Sequence, residues 1–537
     1  MRNRLWTANG TTVLPSWPGS RKQSEKVLPT PDKTRGVARR SLIYAVASIL
    51  QKLSSLILLP VYTRLLTPEE YGYFNLIVTL LLLGGAIASL GMEYAVVRFC
   101  HPSFEAEDGV DGSGTALHRS QAKFYTAAYA TVLSAAVALT VVLTLSGPLY
   151  SPLVFPEFDF YPVILVALAS LLFQPLTTVY LALLQARSMA RSFGLYSLAL
   201  FVSNGALTVL FLGPLKLGLL GVALALVVAN GSFALIGTVR AMRMGMLWVR
   251  FEQADARRLL AYALPMLPHT LTLQATSLAT RVIISHLISV AAAGLFNIAM
   301  YAVNFIDAIQ TAFHRAFLSW YFTQVDGKPP GWQSRVRGVI ATFVGASVVI
   351  SSSVALFASE LLRLMTPESF HAAASIVPLL SLSMMVKSIY YPSLSSLLYH
   401  EKGTRAVLII SGTSSVISIP LAVLGAAQFG LMGVAAAQLV QRIMMSAMAV
   451  WSSRRLDTPG IPWSRVARLQ SGGLVAVCFV MVGDHESWWG LEFWSVLFVK
   501  VLVWIVLVAY LLVCDPNLVK AARSVIRRES EEKAEVR

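Results

Sequence analysis

Apolar stretches of roughly 20 residues recur along this chain, each long enough to cross a hydrocarbon layer as a helix. They lie near 41–63, 73–96, 124–146, 161–184, 193–213, 218–239, 262–287, 292–313, 337–358, 373–398, 406–426, 431–451, 468–483 and 493–514. Hydrocarbon offers peptide groups no water to bond, so each stretch must satisfy its own backbone, and a helix does that within one segment. The pattern predicts an all-α integral membrane protein of about fourteen transmembrane helices. Charged residues make up 13% of the 537 residues, against roughly 25% in soluble domains.

The formal charge of +16 follows topology rather than a polyanion-binding face. Arg39 and Arg40 precede the first span, Arg119 and Lys123 follow the second, and Arg187 and Arg191 the fourth. Arg240, Arg243, Arg250, Arg257 and Arg258 follow the sixth, Arg335 and Arg337 the eighth, and Lys402 and Arg405 the tenth. Arg454, Arg465 and Arg468 follow the twelfth span, and the C-terminal tail is basic again from Lys520 to Arg528. The intervening loops hold little beyond Arg64, Lys216 and Arg363. By the positive-inside rule both termini are expected in the cytoplasm, with no nucleic-acid partner implied. Residues 1–38 read as a disordered basic tail and 515–537 as a charged tail. Cys100, Cys478 and Cys514 show no ligand spacing and read as apolar fillers.

Two phrases occur twice. VYTRLLTPEEYGYFNLI begins at Val61, and HLISVAAAGLFNI begins at His286. Aligning Gly72 with Gly294 pairs Leu65 with Leu287, Thr67 with Ser289, Phe74 with Phe296 and Asn75 with Asn297. GLLGVA from Gly218 likewise matches GLMGVA from Gly430 at a similar offset. Six spans separate the copies, an even number, so the repeats are parallel. The expected organisation is a six-helix lobe over 39–240, a second over 259–453, and additional helices 13 and 14 over 466–514. Two lobes about a pseudo-two-fold axis place a binding site between them.

Polar residues recur at helical spacing in the first two spans of each half. They include Tyr44, Ser48, Lys52, Asn75 and Thr79, then Gln274, Ser277, Arg281, Asn297, Asn304, Asp307 and Thr311. Small polar residues also serve ordinary helix packing. The charges are more demanding. Lys52, Arg281, Lys387 and Arg442 fall well inside their spans, where a base costs about 2.5–3.5 kcal/mol unless it finds a partner or water. Asp307 is the deep carboxylate, and Glu93 lies nearer a span end. One acid does not neutralise four bases, so these residues are assigned to a cationic chamber for an anionic substrate. The alternative is that some snorkel, or pair with Asp307 as structure. Arg64 and Arg98 flank spans as gate or interface charges.

No phosphate-cradling GxxxxGKS/T loop, HExxH or nucleophile elbow occurs, so a non-enzyme is expected. The phrases LLPVYTRLLTPEEYGYFNLI, LGMEYAVVRF, YALPMLPHTL and ATRVIISHLISVAAAGLFNIAMYAV occur in order, with GLLGVALA and GLMGVAAA in the later spans. In these the chain resembles polysaccharide transporters, including Wzx-type flippases, of the multidrug/oligosaccharidyl-lipid/polysaccharide exporter (MOP) superfamily. The resemblance implies a V-shaped pair of lobes in a bacterial inner membrane. It implies a flippase for undecaprenyl-diphosphate-linked oligosaccharides of O-antigen, capsule or exopolysaccharide, working beside a polysaccharide polymerase and chain-length machinery. It also implies no cofactor and coupling to an H+ or Na+ gradient, for which Asp307 and Glu93 are the candidate carriers. Family members often carry an Asp-Arg pair where this chain has Thr280 and Arg281. The competing readings are a peptidoglycan-precursor flippase, a multidrug exporter of the same superfamily, and a non-transporting scaffold for a polysaccharide assembly complex.

Overall fold

The computed structural model describes residues 58–101, 114–247, 250, 252–400, 403–454, 456, 459–483 and 493–515. Lys52, the two tails, the 102–113 loop, Trp488 and Trp489 lie outside them. Eleven helices among the described residues are long and apolar enough to span a membrane, and the described elements are helical throughout. The C-terminal end of α1 is seen at 58–65. Then come α2 (Pro68–Ser89, resuming after a bend as Met92–Phe99), α3 (Gly114–Leu145), α4 (Phe160–Ala186), α5 (Ala190–Leu212) and α6 (Gly218–Arg243). A connector helix, Gln253–Ala263, leads to α7 (Leu267–Leu287). The second half continues with α8 (Val290–Gly327), α9 (Trp332–Leu356) and α10 (Glu368–Tyr399). The run Gly403–Ser453 breaks at Gly430 into α11 and α12. Last come α13 (Trp463–Gly483) and α14 (Phe493–Cys514).

The repeated phrases have local physical causes. In TPEE, Thr67 caps α2. Its hydroxyl accepts from the Glu70 amide, the Glu70 carboxylate accepts from the Thr67 amide at 2.8 Å, and Pro68 occupies the first turn. This is the reciprocal capping box, which satisfies donors the helix cannot. Ser289 repeats the cap on α8, its hydroxyl accepting from the Ala292 amide at 3.0 Å. The Glu70 half of the box is absent there, so the hydroxyl is what the repeat keeps. In the second phrase, Gly218 and Gly430 both have positive φ, +54° and +57°, as the chain turns into α6 and α12. Side chains rarely adopt that conformation, so a glycine opens both copies.

The two halves meet along one seam, where α2 packs against α7 and α8. A Cβ on Gly72 would overlap the Val290 carbonyl oxygen, and one on Gly294 would overlap the Pro68 carbonyl oxygen. Each glycine thus faces the first turn of the other helix. The 1–2 and 7–8 turns therefore lie at the same end of the bundle, as parallel repeats require. At that end the lobes share one apolar core, with Leu59, Tyr62, Tyr71 and Phe74 beside Val290, Ile298 and Phe370. The Tyr71 and Phe370 rings pack edge-on, 5.9 Å between centroids.

At the opposite end the large apolar cluster of the first lobe includes the connector helix but none of α8 to α14. The connector is held by the Arg98 guanidinium 4.8 Å over the Tyr262 ring, and by Arg258 over Phe99 and Phe124. A Lys123–Glu252 ion pair at 2.6 Å adds to this. Residues 259–263 thus pack on the first lobe. Joined at one end and parted at the other, the lobes form a V. Its α7 wall has only Ile284 and Ser285 buried, and most of the rest of that helix is partly exposed.

Helices α13 and α14 attach to α9, the latter through Trp504 Nε1, which donates to the Ser353 hydroxyl at 2.7 Å, and α14 also reaches the short helix Ala358–Met365 through a buried Lys500. Its ammonium reaches Glu360 and Ser359, each at 2.8 Å.

Replacing Gly72 by Val should destabilise the fold by about 1–3 kcal/mol through forced separation of the seam. Gly412→Ala, where an added Cβ meets nothing within 4 Å, should change little. Thermal unfolding of the detergent-solubilised variants checks the contrast; equal melting temperatures would contradict the close-approach account.

Candidate functional site

Within the second lobe, α7, α8, α11 and α12 surround a cavity of about 210 Å³. Arg281 enters from α7 and Arg442 from α12, with Asn304, Ser418, Gln438 and Gln441 among the other polar walls. No carboxylate lines it. Gln438 and Arg442 stand four residues apart on one helix face, which brings both side chains to the same wall. Among the described residues, Arg281 Nε, Arg442 Nε and Gln438 Oε1 are buried without a hydrogen-bond partner. Buried polar groups without partners are costly and uncommon. The two guanidinium donors on the wall of one cavity suit a hydrogen-bonding anion, and the Gln438 oxygen suits a hydroxyl donor beside it.

The rest of the Arg281 guanidinium is engaged. Nη1 donates to the Ser277 carbonyl at 2.9 Å and to its hydroxyl at 2.6 Å, one turn back on α7. Nη2 donates to Asn297 Oδ1 at 2.7 Å. The Asn297 amide nitrogen donates in turn to Asn75 Oδ1 across the lobe seam. Asn75 Nδ2 donates to the Tyr71 carbonyl at 2.6 Å within α2. The two asparagines that align in the sequence repeat therefore bond to each other across the pseudo-axis.

Lys387 and Asp307 are brought together elsewhere in the same lobe. Their side chains form an ion pair between α10 and α8. The Tyr391 hydroxyl donates to Asp307 at 3.2 Å and lies 3.1 Å from the Thr311 hydroxyl. The Lys387 ammonium sits 5.3 Å from the Tyr391 ring centre. The His314 ring packs on Tyr391, with centroids 4.9 Å apart, and its Nδ1 lies 3.3 Å from the Ser395 hydroxyl. Of the three described bases of the sequence-derived chamber, Lys387 is thus charge-matched by Asp307. Arg281 and Arg442 share the cavity and lack a carboxylate partner there.

The flanking charges separate. Arg64 is exposed at the end of α1, and Arg98 serves the connector contact. Glu93 lies in the first turn beyond the α2 bend, with Oε2 buried and unpartnered, apart from the Arg281–Arg442 cavity. An apolar cleft of about 550 Å³ between α13 and α14 is lined by residues such as Val475, Phe479 and Val506 and is separate from the polar cavity. Among the described residues no group of three or more His, Cys, Asp or Glu could hold a metal ion.

The profile of the polysaccharide biosynthesis protein family matches residues 37–316, more than half of the chain. The chain belongs to that family. The match covers the first lobe, the connector, α7 and most of α8, and so includes Arg281 and both asparagines of the seam. No curated protein matches the chain. Among solved structures, the lipid II flippase MurJ in an inward closed conformation is similar over 89% of this chain and all of its own. The identity there is 14% and the TM-score 0.68. An inward-facing multidrug-resistance MATE transporter of the MOP superfamily is similar over 78% of this chain and 96% of its own, at 14% identity and a TM-score of 0.62. A MOP superfamily transporter from Pyrococcus furiosus gives 15% identity over 81% and 96%, with a TM-score of 0.57. At these identities the likeness is one of fold: this chain has the MOP transporter architecture of a multi-pass membrane protein.

Removing one member of the Lys387–Asp307 pair leaves the other charge buried alone, at a cost of about 3–5 kcal/mol. Lys387→Met and Asp307→Asn should each lower the melting temperature markedly, and the double variant should recover much of the loss. A double variant as unstable as the sum of the singles would show that the charges are not coupled.

Proposed function

We propose that this protein is a flippase for undecaprenyl-diphosphate-linked oligosaccharides, carrying polysaccharide repeat units across the bacterial inner membrane by alternating access. The observation that carries this reading is the cavity in which Arg281 and Arg442 meet without a carboxylate. A diphosphate offers charged oxygen acceptors to guanidinium donors, and charge-assisted bonds of this kind are among the stronger ones. A cation exporter calls for acids in its chamber, and the deep acid Asp307 is already matched by Lys387. The hydroxyl and amide groups of Thr276, Asn304, Ser418 and Gln441 add neutral hydrogen-bonding capacity suited to sugar. Membership of a polysaccharide biosynthesis family supports the same substrate class.

In this reading the prenyl chain remains in lipid while the headgroup passes between the lobes. The turns carrying Glu69 and Ala292 lie outside, so the V opens to the cytoplasm, where the substrate is loaded. An ion gradient drives the cycle through Asp307, whose charge state sets whether Lys387 is matched. Glu93, beside the connector, is the second candidate.

Proteoliposomes containing the full chain should move fluorescently tagged undecaprenyl-diphosphate oligosaccharide between leaflets. Arg281→Ala and Arg442→Ala should each slow transfer by roughly ten- to a hundredfold, the effect of losing a hydrogen bond to a charged group. Arg64→Ala should transfer normally. Undiminished transfer in both cavity variants would exclude the cavity as the headgroup site. Faster movement of lipid II than of the oligosaccharide would assign the protein to cell-wall precursor transport instead.

A further inference from the structure

Arg281 belongs to two structures at once: the wall of the polar cavity and a series of polar side chains that crosses the α2–α8 seam, where the Tyr301 hydroxyl also donates to Asn75 Oδ1 at 3.5 Å. We propose that it is the trigger of a polar clasp, and that an oxyanion entering the cavity opens the lobe seam by taking the Arg281 guanidinium away from Asn297. This inference rests on the anionic-substrate reading above.

The argument begins with hydrogen-bond polarity. A guanidinium has donors and no acceptor. It therefore fixes which way the Asn297 amide points, with Oδ1 toward Arg281 and Nδ2 toward Asn75. Asn75 must then present Oδ1 to Asn297 and spend its own nitrogen on the Tyr71 carbonyl. Every bond in the series runs the same way, from α7 through α8 to α2. Arg281 thus supports from the cavity side the Asn297 orientation that Asn75, itself held by the Tyr71 carbonyl and the Tyr301 hydroxyl, calls for from the other.

Arg281 also has a competing use for its donors. Nε and Nη2 form one edge of the guanidinium fork, the edge that grips an oxyanion through two parallel bonds. Nε is buried with no partner, while Nη2 is committed to Asn297 Oδ1. A phosphate group taking this edge gains two charge-assisted bonds and displaces a bond to a neutral amide. Arg442, on the opposite wall, draws the anion to that position. A ligand shifts a conformational equilibrium only through unequal interaction with the two states. Here the same donor serves either the closed seam or the anion, which supplies that inequality. Gly72 packs directly on the Val290 backbone nearby, so parting the seam breaks that close contact as well.

The test uses the full chain in lipid nanodiscs, with Cys100, Cys478 and Cys514 replaced by Ala. Spin labels at Glu69→Cys and Ala372→Cys, exposed positions on either side of the seam end, report the gap by double electron–electron resonance. The probe is inorganic pyrophosphate, with its binding measured separately by calorimetry. Pyrophosphate should lengthen the label distance in the parent protein. Asn75→Ala should populate the longer distance without pyrophosphate while still binding it. Arg281→Lys keeps the charge but not the fork. It should bind pyrophosphate with affinity reduced roughly tenfold and leave the distance short. If pyrophosphate binds in an Arg442-dependent way and the distance is unchanged, the clasp is wrong and the anion site stands. Lengthening in Arg281→Lys equal to the parent would also overturn the clasp. If pyrophosphate does not bind at all, the clasp and the anionic-substrate reading fall together.

Discussion

The crossing of α2 and α8 is the contact on which the rest of the arrangement depends. Two helix backbones approach so closely at Gly72 and Gly294 that no side chain fits between them. Small residues at a crossing let membrane helices gain dispersion contacts that water would otherwise have driven hydrophobically. The approach sets the depth at which Asn75 and Asn297 face each other and the angle at which the lobes diverge below them. The V, the exposure of α7 and the distance from seam to cavity all follow from that one fixed point. Both turns are capped by hydroxyls, so the helix starts entering the crossing carry fewer unsatisfied amides.

Charge is arranged inside the second lobe with a division of labour. Asp307 and Lys387 neutralise one another within a network that includes Tyr391 and Thr311. Arg281 and Arg442 have no such counter-charge in the cavity they share. The lobe therefore contains both a self-satisfied ion pair and an excess of positive potential, on different walls. In the proposed reading, a substrate anion meets the second without dismantling the first.

Much of the fold was legible in the sequence because the hydrocarbon constraint acts on every residue of a span and leaves a periodic record. The α7 span shows where the record weakens. It falls short of the apolar helices because it carries Thr272, Gln274, Thr276 and Ser277, the last two of which line the polar cavity. The candidate site was legible only in part. Intramembrane bases stand out singly, but the sequence does not say which of them meet. It could not distinguish Lys387, paired with Asp307, from Arg442, unpaired in a cavity. Gln438 escaped notice because an amide in a span carries no charge to mark it. Its place one turn before Arg442 was the available signal. Lys500 escaped for the opposite reason: in so apolar a helix a single lysine reads as an interfacial residue until Glu360 is seen opposite.

The reciprocity at Gly72 and Gly294 has the form of an isologous dimer interface folded into a single polypeptide. Each half offers the other the same patch, a capped helix start, a bare backbone and an asparagine. Any change on one side must then be accommodated by its counterpart some two hundred residues away. The first lobe has become a compact support, and the second has accumulated the chamber, the ion pair and two further helices. Sequence symmetry around this turn is the imprint of a surface that has to recognise itself.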